Sequence, residues 1–158
     1  MAYAGRGPTL VVEPVRFAAM KPYEATATID APPETVWSVL TDGAAYPRWN
    51  SGVRSVDGRI ARGEKLKVTS EASPKRAFPV RVTAFEPGRG MTWTGGMPAG
   101  LFKGVRTFRL VPEGSRTRFT MREEYSGPLL PLIARTMPDL QPSFDQFARG
   151  LKARAETG

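Results

Sequence analysis

The stretch IDAPPETVWSVLTDGAAYPRWNSGV spans residues 29–53 and contains a sharp change from strand pattern to helix pattern. Apolar residues alternate with polar ones up to its first position, at Tyr23, Ala25, Ala27 and Ile29. A period of two is typical of a strand with one buried face. The strand should end at Asp30-Ala31-Pro32-Pro33, because proline is favoured in the first turn of a helix.

Helical spacing follows the prolines. Apolar residues recur on one face of a helix at Val36, Trp37, Val39 and Leu40. Asp42-Gly43 should end this helix, and residues 44–49 indicate a second short helical turn. We expect Trp37 to belong to the core of the protein. The ordered part of the chain therefore starts with one strand and two short helices.

Six short strand-like runs come next, separated by turns rich in Gly and Pro. They cover residues 53–60, 66–70, 78–84, 91–95, 102–111 and 117–125. The last two face each other across Pro112-Glu113-Gly114-Ser115, which is a hairpin turn signal.

The chain ends in a predicted helix. Apolar residues share one helical face at Leu140, Phe144, Phe147, Ala148, Leu151 and Ala155. Pro131, Pro138 and Pro142 should split or kink the part that precedes this face. The order of strand, two helices, six strands and helix predicts a single antiparallel α+β domain over residues 22–156. Residues 1–21 show weak periodicity and are interpreted as a tail or an extra strand.

The composition excludes several classes of chemistry. The sequence contains no Cys and no His, so thiolate nucleophiles, disulfides, His-based catalysis and the usual zinc sites are absent. We therefore predict no cofactor, no metal and no catalytic residue. The net charge is +8, but the basic residues are scattered along the sequence, which is typical of a solvated surface. No apolar run reaches the length of a membrane span and no secretory signal stands out, so we expect no stable membrane insertion and a cytoplasmic location.

Three stretches together resemble a known family. The segment from Ile29 to Val53, with its Pro-led helix and Tyr46-Pro47-Arg48-Trp49, resembles the opening of the START/Bet v 1-like superfamily, the polyketide cyclase/dehydrase and lipid transport group. The stretch FKGVRTFRLVP, residues 102–112, and the stretch TRFTMREEYSGPLLPL, residues 117–132, resemble the family's final hairpin and its passage into a long helix. The resemblance extends over about residues 23–155.

This resemblance implies a helix-grip fold, in which a seven-stranded curved antiparallel sheet wraps around the long C-terminal helix. It also implies a cavity between sheet and helix that holds a lipid, a polyketide or another hydrophobic molecule. Relatives often carry His where Arg106 stands here, with an acid at the position of Glu123. Because Arg stays protonated, this departure weakens any proposal that these two residues transfer protons.

Alternation along the final hairpin places two charged residues on the interior face. Arg106 shares its side of the strand with apolar residues, and Glu123 does the same on the next strand. A buried charge without a partner is costly, so we predict that the two form an ion pair. The pair could close the interior of the sheet, or it could form the polar end of a ligand cavity.

Aromatic residues should line the same interior. We predict a ligand-binding set made of Trp49, Phe78, Trp93, Phe102, Arg106, Phe108, Met121, Glu123, Tyr125 and Phe144. Residues 94–100 are rich in Gly and could form a loop that gates the mouth of the cavity. Their spacing does not match a phosphate-binding loop, and inward aromatics cannot stack on bases, so we expect no nucleotide or nucleic-acid partner.

Three functions remain open at this stage. The first is binding or transport of a small hydrophobic ligand, and the second is an aromatase/cyclase or dehydratase that works by positioning its substrate. The third is a protein-interaction module with a filled core and a basic surface. The sequence indicates neither the ligand nor the oligomeric state.

Overall fold

The computed structural model describes residues 21–157. Seven strands are present: β1 Tyr23–Ile29, β2 Val53–Asp57, β3 Lys65–Ser70, β4 Phe78–Glu86, β5 Gly90–Gly96, β6 Lys103–Glu113 and β7 Arg116–Ser126. The helices are α1 Pro33–Thr41, α2 Leu130–Ala134 and α3 Gln141–Glu156, with 3₁₀ segments at Gly43–Trp49 and Pro98–Gly100. The tail or extra strand expected in residues 1–21 lies, apart from Lys21, outside the described residues.

All seven strands belong to one antiparallel sheet in the order β1-β7-β6-β5-β4-β3-β2. Consecutive strands from β2 to β7 are neighbours, while β1 joins the sheet beside β7. Helix α3 packs against β1 and β7. The predicted α+β architecture, with a seven-stranded sheet around a C-terminal helix and two short helical segments after the first strand, is confirmed.

Strand β2 is shorter than predicted. It ends at Asp57 and not at residue 60, because Gly58 has a φ of 112°, where a side chain would lie 2.7 Å from the Lys65 carbonyl oxygen. The predicted interruption by prolines is confirmed, since α2 and α3 are separate helices and α3 begins at Gln141, with Pro142 in its first turn. Within residues 21–157, no helix is both long and apolar enough to cross a membrane.

Helix α3 protects the free edge of β1 by hydrogen bonding to its backbone. Gln141 Nε2 donates to the Glu24 carbonyl at 2.8 Å, and Lys152 Nζ donates to the Thr28 carbonyl at 2.7 Å. The Glu156 carboxylate accepts a hydrogen bond from the Asp30 amide at 2.8 Å. An exposed strand edge invites pairing with other chains, so these contacts both orient α3 and cover the edge.

Helix α3 also approaches the 3₁₀ segment unusually closely. Gly150 is buried, and a Cβ atom at this position would lie 2.7 Å from the carbonyl oxygens of both Trp49 and Asn50. Backbone oxygens cannot move away as a flexible side chain can. Glycine is therefore required here by the contact between two backbones, although it weakens a helix elsewhere.

The substitution Gly150→Ala should destabilise the protein even though Ala favours helix by about 1 kcal/mol. Overpacking of this kind costs typically 1–3 kcal/mol, so we expect a net loss of up to about 2 kcal/mol in the free energy of unfolding, measured in urea. Arg149→Ala, at the exposed neighbouring position, is the control and should change stability little. A Gly150→Ala variant more stable than the parent protein would contradict the close approach.

Candidate functional site

A cavity of about 960 Å³ lies between the sheet and the start of α3. Its floor is the inner face of β3 to β7, and its wall is the first turn of α3. Segments outside the strands complete it, among them residues 51–52 before β2, residues 73–77 before β4 and residues 133–138 after β7. The cavity exists because α3 packs against β1 and β7, leaving β3 to β5 without a helix over them.

Most of the cavity lining is apolar. Trp93 and Met121 are almost fully buried in the sheet floor, and Phe144 faces them from α3. Phe102 stacks on Tyr125 with their ring centroids 5.7 Å apart, so the wall formed by β6 and β7 is also aromatic. Apolar pockets of several hundred cubic ångströms are typical binding sites for small molecules.

The polar end of the cavity is an ion pair between β6 and β7. Arg106 and Glu123 lie directly opposite each other in the strand register. Arg106 Nε and Nη2 donate to the same carboxylate oxygen, Glu123 Oε2, at 3.0 and 2.6 Å. Side-chain exposure is 23% for Arg106 and 14% for Glu123, so both groups are largely shielded from water. The predicted pairing is confirmed.

The surroundings of Arg106 keep it charged. Burial acts to lower its pKa, but the neighbouring Glu123 carboxylate outweighs burial and raises the pKa above its ordinary value. The guanidinium also lies 4.8 Å from the centre of the Phe144 ring, a cation–π geometry. Arg106 is therefore held as a fixed cation between a carboxylate and an aromatic ring, and it cannot exchange a proton.

The second carboxylate oxygen of Glu123 is not used by Arg106. A Cβ atom at Gly104 would lie 3.1 Å from Glu123 Oε1 and 3.2 Å from the Tyr125 ring. Glycine at position 104 therefore lets the Glu123 carboxylate and the Tyr125 ring pack directly against β6. Burial and the charge of Glu123 raise the pKa of Tyr125, so its hydroxyl stays protonated at neutral pH. The polar end thus combines a hydrogen-bond acceptor, a hydroxyl and a neutralised cation.

The structure brings together eight of the ten residues predicted from the sequence. Those that line the cavity are Phe78, Trp93, Phe102, Arg106, Met121, Glu123, Tyr125 and Phe144. Trp49 and Phe108 lie outside it in the core, where both contact Phe147, at ring-centroid distances of 5.1 and 6.0 Å. Trp37, expected in the core, is half-buried and packs on Phe85 at 5.1 Å.

Two lining segments were not predicted from the sequence. One segment is residues 73–77, which include Lys75 and Arg76. The other is residues 133–138. Neither segment has a strand or helix period, so alternation could not assign it to a face. The predicted loop at residues 94–100 does reach the cavity, since Gly96, Met97 and Pro98 line it. Whether it opens and closes stays a prediction.

The curved antiparallel sheet, the C-terminal helix and the cavity between them define the class of the protein, a START/Bet v 1-like helix-grip domain. The sequence matches the family described as polyketide cyclase / dehydrase and lipid transport over residues 20–156. This chain therefore belongs to the polyketide cyclase/dehydrase and lipid transport family. A comparison with curated proteins found no match.

Solved structures with the same fold include proteins of different kinds. A START superfamily protein from Mycobacterium smegmatis has a TM-score of 0.64 and 20% identity, with 86% of this chain and 97% of that chain covered. The Zhui aromatase/cyclase from a Streptomyces species has a TM-score of 0.68 and 17% identity, with coverages of 86% and 93%. A hypothetical protein from Helicobacter pylori has a TM-score of 0.71 and 13% identity, covering 89% and 91%. Identities this low show a shared fold only.

Removing one member of the Arg106–Glu123 pair should cost more than removing both. Arg106→Met or Glu123→Leu alone leaves an unpaired charge beside the cavity, at a cost of roughly 3 kcal/mol. The double variant leaves no charge, so its loss in the free energy of unfolding should be smaller than either single loss. Urea unfolding of the four proteins measures the coupling, and strictly additive losses would show that the pair does not act as a unit.

Proposed function

We propose that this protein binds a small, mainly apolar molecule in the cavity between the sheet and α3, as a carrier or a binding protein. The observation that supports the proposal is the cavity of about 960 Å³, lined by apolar and aromatic residues, with one ion pair at its inner end. The family description, which includes lipid transport, agrees with it. A cytoplasmic location, expected from the sequence, stays a prediction.

The charges at the inner end favour a neutral ligand that carries a hydroxyl. Arg106 is already neutralised by Glu123, so the pair offers no excess positive charge for a carboxylate. Glu123 lines the cavity and Arg106 bonds only to its Oε2, so Oε1 can accept a hydrogen bond from a phenol, an enol or an alcohol. A ligand carboxylate at this position would meet the carboxylate of Glu123 and be repelled. The proposed ligand class is therefore a hydroxylated polycyclic or lipid-like molecule.

Cyclisation or dehydration of a polyketide is the second candidate. It is favoured by the protonated Tyr125 hydroxyl beside the Arg106–Glu123 pair, because fixed hydrogen-bond donors and acceptors can hold a flexible poly-β-ketone in one register. A product lighter than its substrate by one water would identify this activity, whereas a carrier returns its ligand unchanged. The third alternative, an interaction module, predicted a filled interior, and the cavity disfavours it.

Two fluorescent probes of equal ring size test the proposal. The parent protein should bind 1-hydroxypyrene at least about tenfold more tightly than pyrene-1-carboxylate at neutral pH, since a hydrogen bond to a charged group is worth roughly 1.5–3 kcal/mol. Glu123→Gln should reduce or reverse this preference, because it leaves Arg106 without its counter-charge. Fluorescence titration gives both dissociation constants.

Glu124→Gln is the matched control for this titration. It makes the same chemical change at the next residue of β7, where the side chain is exposed on the other face of the sheet and contacts Arg122. Its preference for the two probes should equal that of the parent protein. Native mass spectrometry of gently purified protein should also detect a bound molecule. Absence of an adduct together with no binding of either probe would refute the proposed function.

A further inference from the structure

Three segments form the opening of the cavity, here called the mouth. They are residues 73–79 at the start of β4, residues 96–102 between β5 and β6, and residues 129–138 around α2, where residues 99–101 and 129–132 adjoin the lining residues along the chain. The second and third segments are joined directly, because the Leu129 amide donates to the Leu101 carbonyl oxygen at 3.0 Å. The mouth is therefore one continuous surface built from distant parts of the chain.

Large apolar side chains are concentrated on this surface. Five such side chains are notably exposed in residues 21–157, with exposed fractions between 39% and 64%, and four of them lie on the mouth, namely Phe78, Met97, Leu101 and Leu132. The fifth, Val111, lies near the β6–β7 turn at the opposite end of the sheet. Scattered exposed apolar residues need no explanation, but a cluster around a single opening indicates an interaction surface.

Positive charges accompany these apolar side chains. Lys75 and Arg76 line the mouth, and the Arg76 guanidinium lies 5.5 Å from the centre of the Phe78 ring. Arg135 is exposed one residue beyond α2. Two acids flank the mouth, and both carboxylates accept hydrogen bonds from neighbouring residues, Glu71 from Gln146 and Asp139 from Gln141. The surface is thus apolar with a basic margin.

We propose that the mouth docks on the surface of an anionic lipid bilayer. Exposed apolar side chains beside Lys and Arg are the pattern that lets a protein lie in a membrane interface, with the cations at the phosphate groups. A fluid bilayer accepts apolar side chains from three separate segments without a matching shape. A folded acidic protein would need complementary pockets for each of them. Docking in this way is peripheral and requires no membrane-spanning helix.

Docking would place the cavity opening against the acyl chains. The mouth continues inward into the apolar lining of Val80, Trp93 and Phe144, so a hydrophobic molecule could enter without crossing water. Docking itself does not depend on the proposed function, but loading of a ligand from the bilayer does. The two are separable, because the docking residues lie on the mouth while the Arg106–Glu123 pair lies at the inner end.

Co-sedimentation with lipid vesicles tests the docking. The parent protein should bind vesicles of phosphatidylcholine containing about 30% phosphatidylglycerol and bind pure phosphatidylcholine vesicles far less. Lys75→Glu with Arg76→Glu should weaken binding by at least about twentyfold, since each basic residue at an anionic surface is worth roughly fivefold. Met97→Asp with Leu132→Asp should weaken it similarly, because it removes apolar contacts and adds charge.

Matched variants at the opposite end of the sheet control for net charge and for exposed apolar area. Arg59→Glu with Arg89→Glu changes the net charge by the same amount in turns remote from the mouth. Val111→Asp removes an exposed apolar side chain with an exposure of 42%, equal to that of Phe78. Both controls should keep most of the vesicle binding, and circular dichroism with thermal unfolding shows that each variant is folded.

Equal losses in the mouth variants and the control variants would overturn the proposal, because binding would then reflect the overall positive charge. Absence of vesicle binding, together with mouth-dependent binding of poly-glutamate, would overturn it in favour of an acidic protein partner. Glu123→Gln should bind vesicles as the parent protein does. A docking protein that binds neither pyrene probe would contradict the proposed function and leave the docking result intact.

Discussion

Helix α3 lies along the β1 edge of the sheet, and the placement of this helix determines where the cavity is. Its side chains hydrogen bond to the β1 backbone, and Gly150 lets it approach the 3₁₀ segment to backbone contact. Because α3 is bound to the β1 edge, its later turns bury Phe147 and Leu151 against the sheet. Strands β3 to β5 are left without a helix above them, and the inner face that they would otherwise bury against a helix becomes a cavity wall.

The ion pair between Arg106 and Glu123 has a different role from the packing around α3. It lies on the inner face of the sheet beside Phe144, where an unpaired charge would be costly. Both side chains line the cavity, and Arg106 bonds only one of the two carboxylate oxygens of Glu123. The same contact can therefore stabilise the hairpin and orient a bound molecule.

Much of this arrangement was predictable from local patterns. Period-two alternation places Arg106 and Glu123 on the inner face of neighbouring strands, and the burial cost of charge predicts their pairing, which the structure confirms. Alternation could not assign the lining segments outside the strands, because irregular loops have no fixed face. It does not apply to Trp49 either, because this residue lies in a 3₁₀ segment. Phe108 was predicted to line the cavity, but it packs on Phe147 of α3 in the core. An inward side chain on the sheet can either contact the helix or line the cavity, and alternation does not distinguish the two.

Residue periodicity, turn residues and short-range spacing are sufficient to predict the order of elements, the faces of the long strands and the family. Which inward residues line a cavity and which fill the core depends on where α3 lies across the sheet, so the folded chain is needed to tell them apart. The fold also brings Phe78, Met97 and Ile133, which are far apart in the chain, to one cavity. Such long-range proximity arises from chain closure and packing, which no local pattern encodes.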